Sequence, residues 1–76
     1  MKNATLRQLR VFASVARHLS FILAAEELKL TAPAVSMQIK ELEIEVGLPL
    51  FDRTSRQVSL TMVGEYMLAH ARRVLS

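Results

Sequence analysis

Few side chains in this 76-residue sequence could catalyse a reaction or hold a metal ion, and they do not converge. The chain has no cysteine, and its two histidines, His18 and His70, lie far apart without a partner at ligand spacing. Because thiolates and clustered imidazoles are the usual ligands of protein-bound zinc, the sequence predicts no metal site and no cofactor. No nucleophile, base and orienting group come together either, so we expect no enzymatic activity.

Polar and cationic side chains instead gather in two short stretches. The first contains Ser36, Gln38 and Lys40, and the second holds Arg53 and Arg56 around a polar turn. Side chains of these types donate hydrogen bonds to phosphate oxygens and base edges. With a formal net charge of +3, the chain suits an anionic partner, either nucleic acid or an anionic membrane surface.

Length and composition limit the class of protein. A chain of 76 residues forms one domain, and its hydrophobic fraction of 51% is too high for a disordered tail. No apolar run approaches the roughly 18–20 residues that a membrane span needs. The N-terminus, with Lys2, Arg7 and Arg10, lacks the apolar stretch of a signal peptide. We therefore expect a cytoplasmic protein that has no membrane partner.

Helical spacing dominates the first part of the chain. Apolar residues recur every three or four positions from Leu6 to Leu19, behind Thr5 as an N-cap, and Ser14 falls on the predicted outer face. Ser20 is a second predicted N-cap, and it begins a shorter helix. Two adjacent amphipathic helices follow from this pattern.

A third helix is predicted over residues 32–46. Thr31 supplies the N-cap, and Pro33 falls in the first turn, where a proline is tolerated. Gly47 ends the helix, and Pro49 prevents it from resuming. Its predicted buried stripe consists of Val35, Ile39, Leu42 and Val46.

The hydrophobic pattern then changes. Residues 50–53 and 57–60 are predicted to form two strands around a turn of residues 54–56, and so short a hairpin must pack on the helices to be stable. Thr61 caps a fourth predicted helix. One side of this helix carries Val63, Tyr66, Met67, His70, Ala71 and Val74. Because no glycine or proline stops it, we expect the natural chain to continue past Ser76.

The order of these elements is typical of a mainly α, winged helix-turn-helix fold. It comprises a three-helix core, a two-stranded β wing and a C-terminal linker helix. We assign residues 1–60 to the winged helix-turn-helix domain and residues 61–76 to the start of the linker helix. A domain of this kind binds double-stranded DNA and places its recognition helix, here residues 32–46, in the major groove.

Charge indicates which end of the recognition helix meets DNA. Glu41, Glu43 and Glu45 crowd its C-terminal half, whereas the N-terminal half has no acid and the positive end of the helix dipole. We interpret these glutamates as a solvated face of the helix that forms ion pairs with neighbouring basic side chains. Docking therefore brings the N-terminal half into the groove.

The predicted DNA contacts come from three places. The N-termini capped by Ser20 and Thr31 offer N–H groups to phosphate, and the wing arginines reach phosphates or the minor groove. Met37 points outward and can meet a thymine methyl group. The full predicted set is Ser20, Thr31, Ala32, Pro33, Ser36, Met37, Gln38, Lys40, Arg53 and Arg56.

Several short segments, in a fixed order and without gaps, carry a resemblance to a known family. They are Leu6-Arg7-Gln8-Leu9-Arg10-Val11-Phe12, Ser20-Phe21 with Ala24-Ala25-Glu26-Glu27-Leu28, Pro33-Ala34-Val35-Ser36 with Gln38-Ile39-Lys40, Leu42-Glu43, Gly47-Leu48-Pro49-Leu50-Phe51-Asp52-Arg53, Arg56, and Leu60-Thr61 with Gly64. Over nearly its whole length the chain resembles the N-terminal DNA-binding domain of LysR-type transcriptional regulators. Within that family it is most similar to regulators of carbon-fixation operons.

The resemblance implies a bacterial regulator that binds interrupted inverted repeats as a homodimer or tetramer. It implies a larger effector-binding domain, absent from this sequence, through which a small metabolite acts. It also implies that the fourth helix dimerises. The residues it assigns to that role are Val63, Tyr66, Met67, His70 and Val74.

Some positions depart from the family pattern. Ile22 and Leu23 stand where the family has a small polar residue and then Arg or Lys, and Ala32 stands where it usually has Gln. Ala32 cannot make the bidentate adenine contact of a Gln, which is worth roughly 1–3 kcal/mol of discrimination. A different readout of the site, a weak affinity or an altered chain would each account for these departures.

A second function stays open from the sequence. Ile22, Leu23, Met37 and Ile44 form an outward apolar set, which a winged helix could use to bind another protein. Lys40 and the wing arginines favour DNA instead, because an apolar interface does not need them. RNA binding is disfavoured because no aromatic platform is available to stack bases.

Overall fold

The computed structural model describes residues 5–54 and 56–76, and these form four helices and one short hairpin. The elements are α1 (Leu6–His18), α2 (Phe21–Leu28), α3 (Ala32–Val46), β1 (Phe51–Asp52), β2 (Ser59–Leu60) and α4 (Met62–Leu75). The predicted winged helix-turn-helix fold is confirmed. Residues 1–4 of the predicted domain and residue 55 of the predicted turn lie outside the described residues. None of the helices in the described part is long and apolar enough to cross a membrane.

Each helix begins behind a residue whose hydroxyl oxygen accepts a backbone hydrogen bond. Thr5 Oγ1 accepts from the N–H of Gln8 at 3.0 Å, and Gln8 Oε1 accepts from the N–H of Thr5 at 3.1 Å. The hydroxyls that cap α2, α3 and α4 accept at 3.1, 3.2 and 3.0 Å, and they belong to Ser20, Thr31 and Thr61. All four predicted N-caps are confirmed, and a cap of this kind stabilises a helix by about 1 kcal/mol.

The connections between helices are tight because the chain turns sharply at each C-cap. Gly47 adopts φ 87°, as expected of a glycine that ends a helix, but Leu19 (φ 51°) and Lys29 (φ 58°) also lie in the left-handed region. A side chain in that region costs roughly 1–2 kcal/mol. The cap N–H of Leu19 donates to the carbonyl of Val15 at 2.6 Å, which closes α1 within one residue of its end.

The core lies between the four helices and the wing. Its fully buried side chains include Phe12, Val15, Val35, Ile39, Leu42 and Leu50. The Phe51 ring in β1 lies 5.4 Å from the Phe12 ring and 5.8 Å from the Phe21 ring, centroid to centroid. Tilted ring pairs at these distances stabilise a core beyond their buried area. The three phenylalanines thus join the wing to the first two helices.

Four details of the predicted faces are wrong. Ser14, placed on the outer face of α1, is only 2% exposed. Leu6 and Leu19, placed in the apolar stripe, are exposed because they lie at the two ends of α1. Val46 is half-buried because it is the last residue of α3.

The wing is shorter than predicted, and α4 supports it. The antiparallel pairing covers two residues in each strand, with Phe51 opposite Leu60 and Asp52 opposite Ser59. The N–H of Thr61 donates to the Leu50 carbonyl at 3.0 Å, and its hydroxyl donates to the Pro49 carbonyl at 2.8 Å. Thr61, the residue before α4, therefore holds the base of the wing. A hairpin this short is not stable alone and needs such support.

Candidate nucleic-acid interface

One face of α3 is exposed along its whole length. Val35, Ile39 and Leu42 are completely buried on the opposite side. The exposed residues are those that the helical period predicts: Pro33, Met37, Lys40 and Ile44. Ser36 and Gln38 are half-buried at the edges of this face, and Ala32 is half-buried and packs against the core. The predicted buried and exposed faces of α3 are confirmed at these positions.

The charges on α3 are divided between its two halves. Its first turn holds no acidic residue, and the capping hydroxyl of Thr31 accepts a hydrogen bond from the N–H of Ala34. Lys40 is exposed at the middle, and Glu41 and Glu45 are exposed beyond it. The end of α3 that starts at Thr31 therefore presents the positive end of the helix dipole without a carboxylate to offset it.

Glu43 does not belong to a solvated face, and this part of the prediction is wrong. Its Oε2 accepts hydrogen bonds from the N–H groups of Leu50 at 2.8 Å and Phe51 at 3.3 Å. Only 20% of its side chain is exposed. The sequence offers no local signal for this role, because the partners are backbone groups seven and eight residues away.

Arg53 and Arg56 lie in different environments. The Arg53 guanidinium carbon is 4.5 Å from the centroid of the Phe21 ring, and its Nη2 is 3.7 Å from Glu43 Oε1. Arg56 is exposed and lines a cleft of about 520 Å³ between the wing and the start of α2. Ser20 and Ile22 line the opposite side of this cleft. The structure therefore brings together Arg56 and the N-terminus of α2. It holds the Arg53 side chain, which is 43% exposed, against Phe21 and near Glu43.

The outward apolar residues are exposed as predicted. Ile22, Leu23, Met37 and Ile44 have 65%, 48%, 58% and 70% of their surface accessible. Ile22 and Leu23 lie in the first turn of α2, and Met37 lies in the second turn of α3. Apolar side chains therefore flank both helix N-termini that the sequence assigns to phosphate contacts.

Away from this face, a carboxylate links α1 to α2. Glu27 Oε1 accepts a hydrogen bond from the Ser14 hydroxyl at 2.6 Å and lies 3.0 Å from His18 Nε2, while Oε2 pairs with Arg17. The Ser14 hydrogen bond is the main cause that lowers the pKa of Glu27, and His18 and Arg17 add to it against partial desolvation. Within residues 5–54 and 56–76, no three potential ligands gather around this or any other point to hold a metal ion.

The residues assigned to dimerisation divide into two groups. Met67 is only 5% exposed and packs in the core. Tyr66 and Val74 are 78% and 42% exposed, and Val63 and His70 are half-buried. The accessible part of the predicted dimer surface therefore centres on Tyr66.

Comparison with known sequences gives a consistent result. A family model described as bacterial regulatory helix-turn-helix protein, lysR family, matches residues 6–65. The chain is 56% identical over 75 residues to the HTH-type transcriptional regulator CfxR of Cupriavidus necator, covering 99% of this chain and 24% of that protein. It is 53% identical over 72 residues to the RuBisCO operon transcriptional regulator of Allochromatium vinosum, again covering 24% of the relative and 95% of this chain.

Solved structures with the same fold include complexes with DNA. The BenM DBD/catB site 1 DNA complex matches with a TM-score of 0.90 and 39% identity, covering 93% of this chain and 79% of that one. The CbnR DBD–DNA complex matches with a TM-score of 0.88 and 35% identity, covering 93% of this chain and 82% of that one.

Proposed function

Because this chain belongs to the LysR family of bacterial regulatory helix-turn-helix proteins, we propose that it reads double-stranded DNA with α3 in the major groove and the wing at the minor groove or the phosphate backbone. The observation that carries the proposal is the exposed, acid-free N-terminal half of α3 on a fold whose solved neighbours include DNA complexes. The chain spans about a quarter of the length of its curated relatives and 24% of CfxR, so the proposal is limited to DNA binding.

The proposed phosphate contacts lie on the two helix N-termini and on the wing. The N–H groups behind Ser20 and Thr31 point out of α2 and α3, where the helix dipole favours an anion. Arg56 faces the α2 N-terminus across the cleft, so one DNA backbone passing through it meets both. Lys40 supplies a second exposed cation from α3.

The proposed base contacts lie on the first turns of α3. Ala32, Pro33 and Met37 are apolar and suit thymine methyl groups, and Ser36 and Gln38 supply hydrogen bonds. Glu41 and Glu45 remain outside the groove, because phosphates repel them. Docking the helix by its N-terminal end satisfies both requirements.

Two copies of the chain are proposed to bind an interrupted inverted repeat. Within the predicted contact set, we assign phosphate contacts to the exposed cations Lys40 and Arg56, and two such contacts in each copy give a modest affinity. Pairing through the exposed side of α4 places two recognition helices on one face of the duplex. By analogy with the RuBisCO operon regulator of Allochromatium vinosum, the proposed target is a carbon-fixation operon, with a small metabolite acting through a domain outside this chain.

A protein-interaction module is the less favoured function. Its support is the exposed apolar set on α2 and α3. Three of those residues, Ile22, Leu23 and Met37, flank the helix N-termini that are proposed to contact DNA, so the two functions would use the same surface. DNA complexes among the structural neighbours favour the nucleic acid.

The proposal is tested by fluorescence anisotropy with an interrupted inverted repeat and with random-sequence duplex, each over a salt series. We expect tighter binding to the repeat and a slope of log K against log salt of about −3.6 for four phosphate contacts in a dimer. Arg56→Ala should flatten that slope by about 0.9 per chain. Arg10→Ala removes the same charge beside Leu75, away from the interface, and should change neither quantity. Absence of binding at low salt would refute the proposal.

A further inference from the structure

We propose that Arg53 is a positioning residue that fixes the wing relative to the recognition helix and does not itself contact a phosphate. The inference rests on the proposed DNA binding and concerns how the wing reaches its place. Sequence reasoning assigns Arg53 and Arg56 the same role because both flank the turn. The two side chains differ in what surrounds them, and that difference carries the inference.

Arg53 immediately follows β1 and is held from two sides. Its guanidinium lies over the face of Phe21, the first residue of α2, at 4.5 Å from the ring centroid. Its Nη2 is 3.7 Å from Glu43 Oε1 on α3. A guanidinium over an aromatic face and beside a carboxylate is attracted by both, and both contacts orient its plane. One side chain therefore links the wing to α2 and to α3.

Glu43 extends this link into the backbone of the wing. While Oε1 faces Arg53, Oε2 accepts from the N–H groups of Leu50 and Phe51, which lead into β1. The Glu43 carboxylate thus contacts the backbone at the start of β1 and also Arg53, the residue that follows β1. Because Glu43 is part of α3, these contacts oppose rotation of the wing about its base.

Phe21 connects the same link to the cleft. Its ring also packs edge-on against Phe51 at 5.8 Å, and the residue follows Ser20, which lines the cleft opposite Arg56. The width of the cleft between Ser20 and Arg56 is therefore set by the elements that Arg53 holds together. Loss of Arg53 should move Arg56 away from the phosphate that it shares with α2.

The sharpest test is whether removal of the Glu43 charge strengthens or weakens DNA binding. Removing a carboxylate near DNA normally strengthens binding, because it removes repulsion. We expect Glu43→Gln to weaken binding to the repeat, by about three- to tenfold, since it loses the ion pair that holds Arg53. Glu41→Gln removes the same charge from an exposed position of α3, two residues away, and should bind as tightly as the wild type or more tightly.

A double-mutant cycle separates positioning from direct contact. Arg53→Met keeps an apolar stem over Phe21 and removes the charge. If Arg53 acts by placing Arg56, the loss caused by Arg53→Met becomes small in an Arg56→Ala background, and the salt slope does not fall further. Two independent phosphate contacts would instead give additive losses and a slope lowered by about 0.9 for each.

A measurement on the free chain makes the test independent of DNA. We expect Arg53→Met to shift the backbone amide resonances of β1 and β2 in ¹H–¹⁵N spectra and to increase the picosecond–nanosecond mobility of residues 56–60, whereas Arg56→Ala leaves β1 unchanged. An unchanged wing in Arg53→Met, together with additive salt slopes, would overturn the inference. A wild-type chain that keeps an ordered wing but does not bind DNA would refute the proposed function alone.

Discussion

Glu27 concentrates three polar contacts on one exposed carboxylate, and this makes it a pH-sensitive point in the fold. The carboxylate, on α2, is contacted by three side chains of α1: Ser14, Arg17 and His18. These contacts hold α1 and α2 at a fixed angle beside the core. The Ser14 hydroxyl is buried and donates to no other group among its described contacts. Protonation of Glu27 therefore weakens a junction between two helices.

We expect Glu27→Gln to reduce the dependence of stability on acid pH. The pKa of Glu27 is lower in the folded chain, so its carboxylate stabilises the fold fully above the ordinary value of about 4.5, and this stabilisation is lost as the pH falls through the lower folded value. Urea denaturation from about pH 6 to pH 2 should show the gap between wild type and variant closing in acid. Glu26→Gln, at the exposed neighbouring position, should follow the wild-type curve; a constant gap for Glu27→Gln would contradict the prediction.

Ala32 limits what the first turn of α3 can read. We expect Ala32→Gln to increase discrimination in favour of adenine-containing half-sites by about 1–3 kcal/mol, because a glutamine amide can bond to both N6 and N7 of adenine. Competition binding against half-sites substituted one base pair at a time measures this. A Gln placed instead at Glu45, at the other end of the helix, is the control; an Ala32→Gln variant with unchanged specificity would place the recognition surface elsewhere.

At the scale of elements, the helix boundaries could be predicted because their signals are local. A hydroxyl precedes every helix, and Gly47 closes α3 where the pattern indicates. Contacts between distant residues had no such signal. Ser14 meets Glu27 thirteen positions along the chain, and the left-handed turn at Leu19 uses no glycine.

The same division holds for the candidate site. The exposed face of α3 followed from 100° of rotation per residue, which needs only the sequence. The contacts of Arg53 with Phe21 and Glu43 could not be predicted in this way. They depend on how the chain after Gly47 packs against α2 and α3. The strands were predicted to be longer than they are for a related reason. Side-chain alternation indicates a strand-like sequence, but backbone pairing also requires a partner strand opposite each residue.

The junction of α4 with the wing depends on the absence of a side chain at Gly64. A Cβ there would overlap the carbonyl oxygen of Leu50 and lie 2.9 Å from Leu60 Cδ2. Because that carbonyl accepts from Thr61, Gly64→Ala should displace the base of the wing and lower the free energy of unfolding by about 2–3 kcal/mol in urea denaturation.

Gly47→Ala provides the comparison for this variant. Nothing lies within 4 Å of the Cβ it would add, so only the left-handed backbone is strained, at a cost of about 1 kcal/mol. If the two variants lost equal stability, the close approach at Gly64 would not be the cause.

At the scale of the whole molecule, α1 is the central element. It packs against α2, α3 and α4, so the accessible side of α4 and the exposed face of α3 belong to different layers of the domain. Tyr66 and Met62, 78% and 87% exposed, dominate the accessible side of α4. An interface between two copies can therefore form on α4 while the exposed face of α3 stays free in both.

We expect Tyr66→Glu to weaken binding to the inverted repeat by about tenfold or more and to leave binding to an isolated half-site unchanged. The reason is that a charge on the accessible side of α4 opposes pairing and removes the gain from two linked sites. Anisotropy titrations on the two duplexes provide the measurement, and the half-site is the internal control. Equal losses on both duplexes would mean that Tyr66 does not act through pairing.

The distribution of aromatic residues gives the chain a built-in optical reporter. It has no tryptophan and one tyrosine, and that tyrosine is exposed on α4, apart from the cluster formed by Phe12, Phe21 and Phe51. Excitation near the red edge of tyrosine absorption therefore probes a single position. Its emission should respond when α4 acquires a neighbour and stay constant when DNA occupies α3 and the wing as a monomeric half-site complex. The unlabelled protein can thus distinguish association of its copies from occupation of its DNA surface.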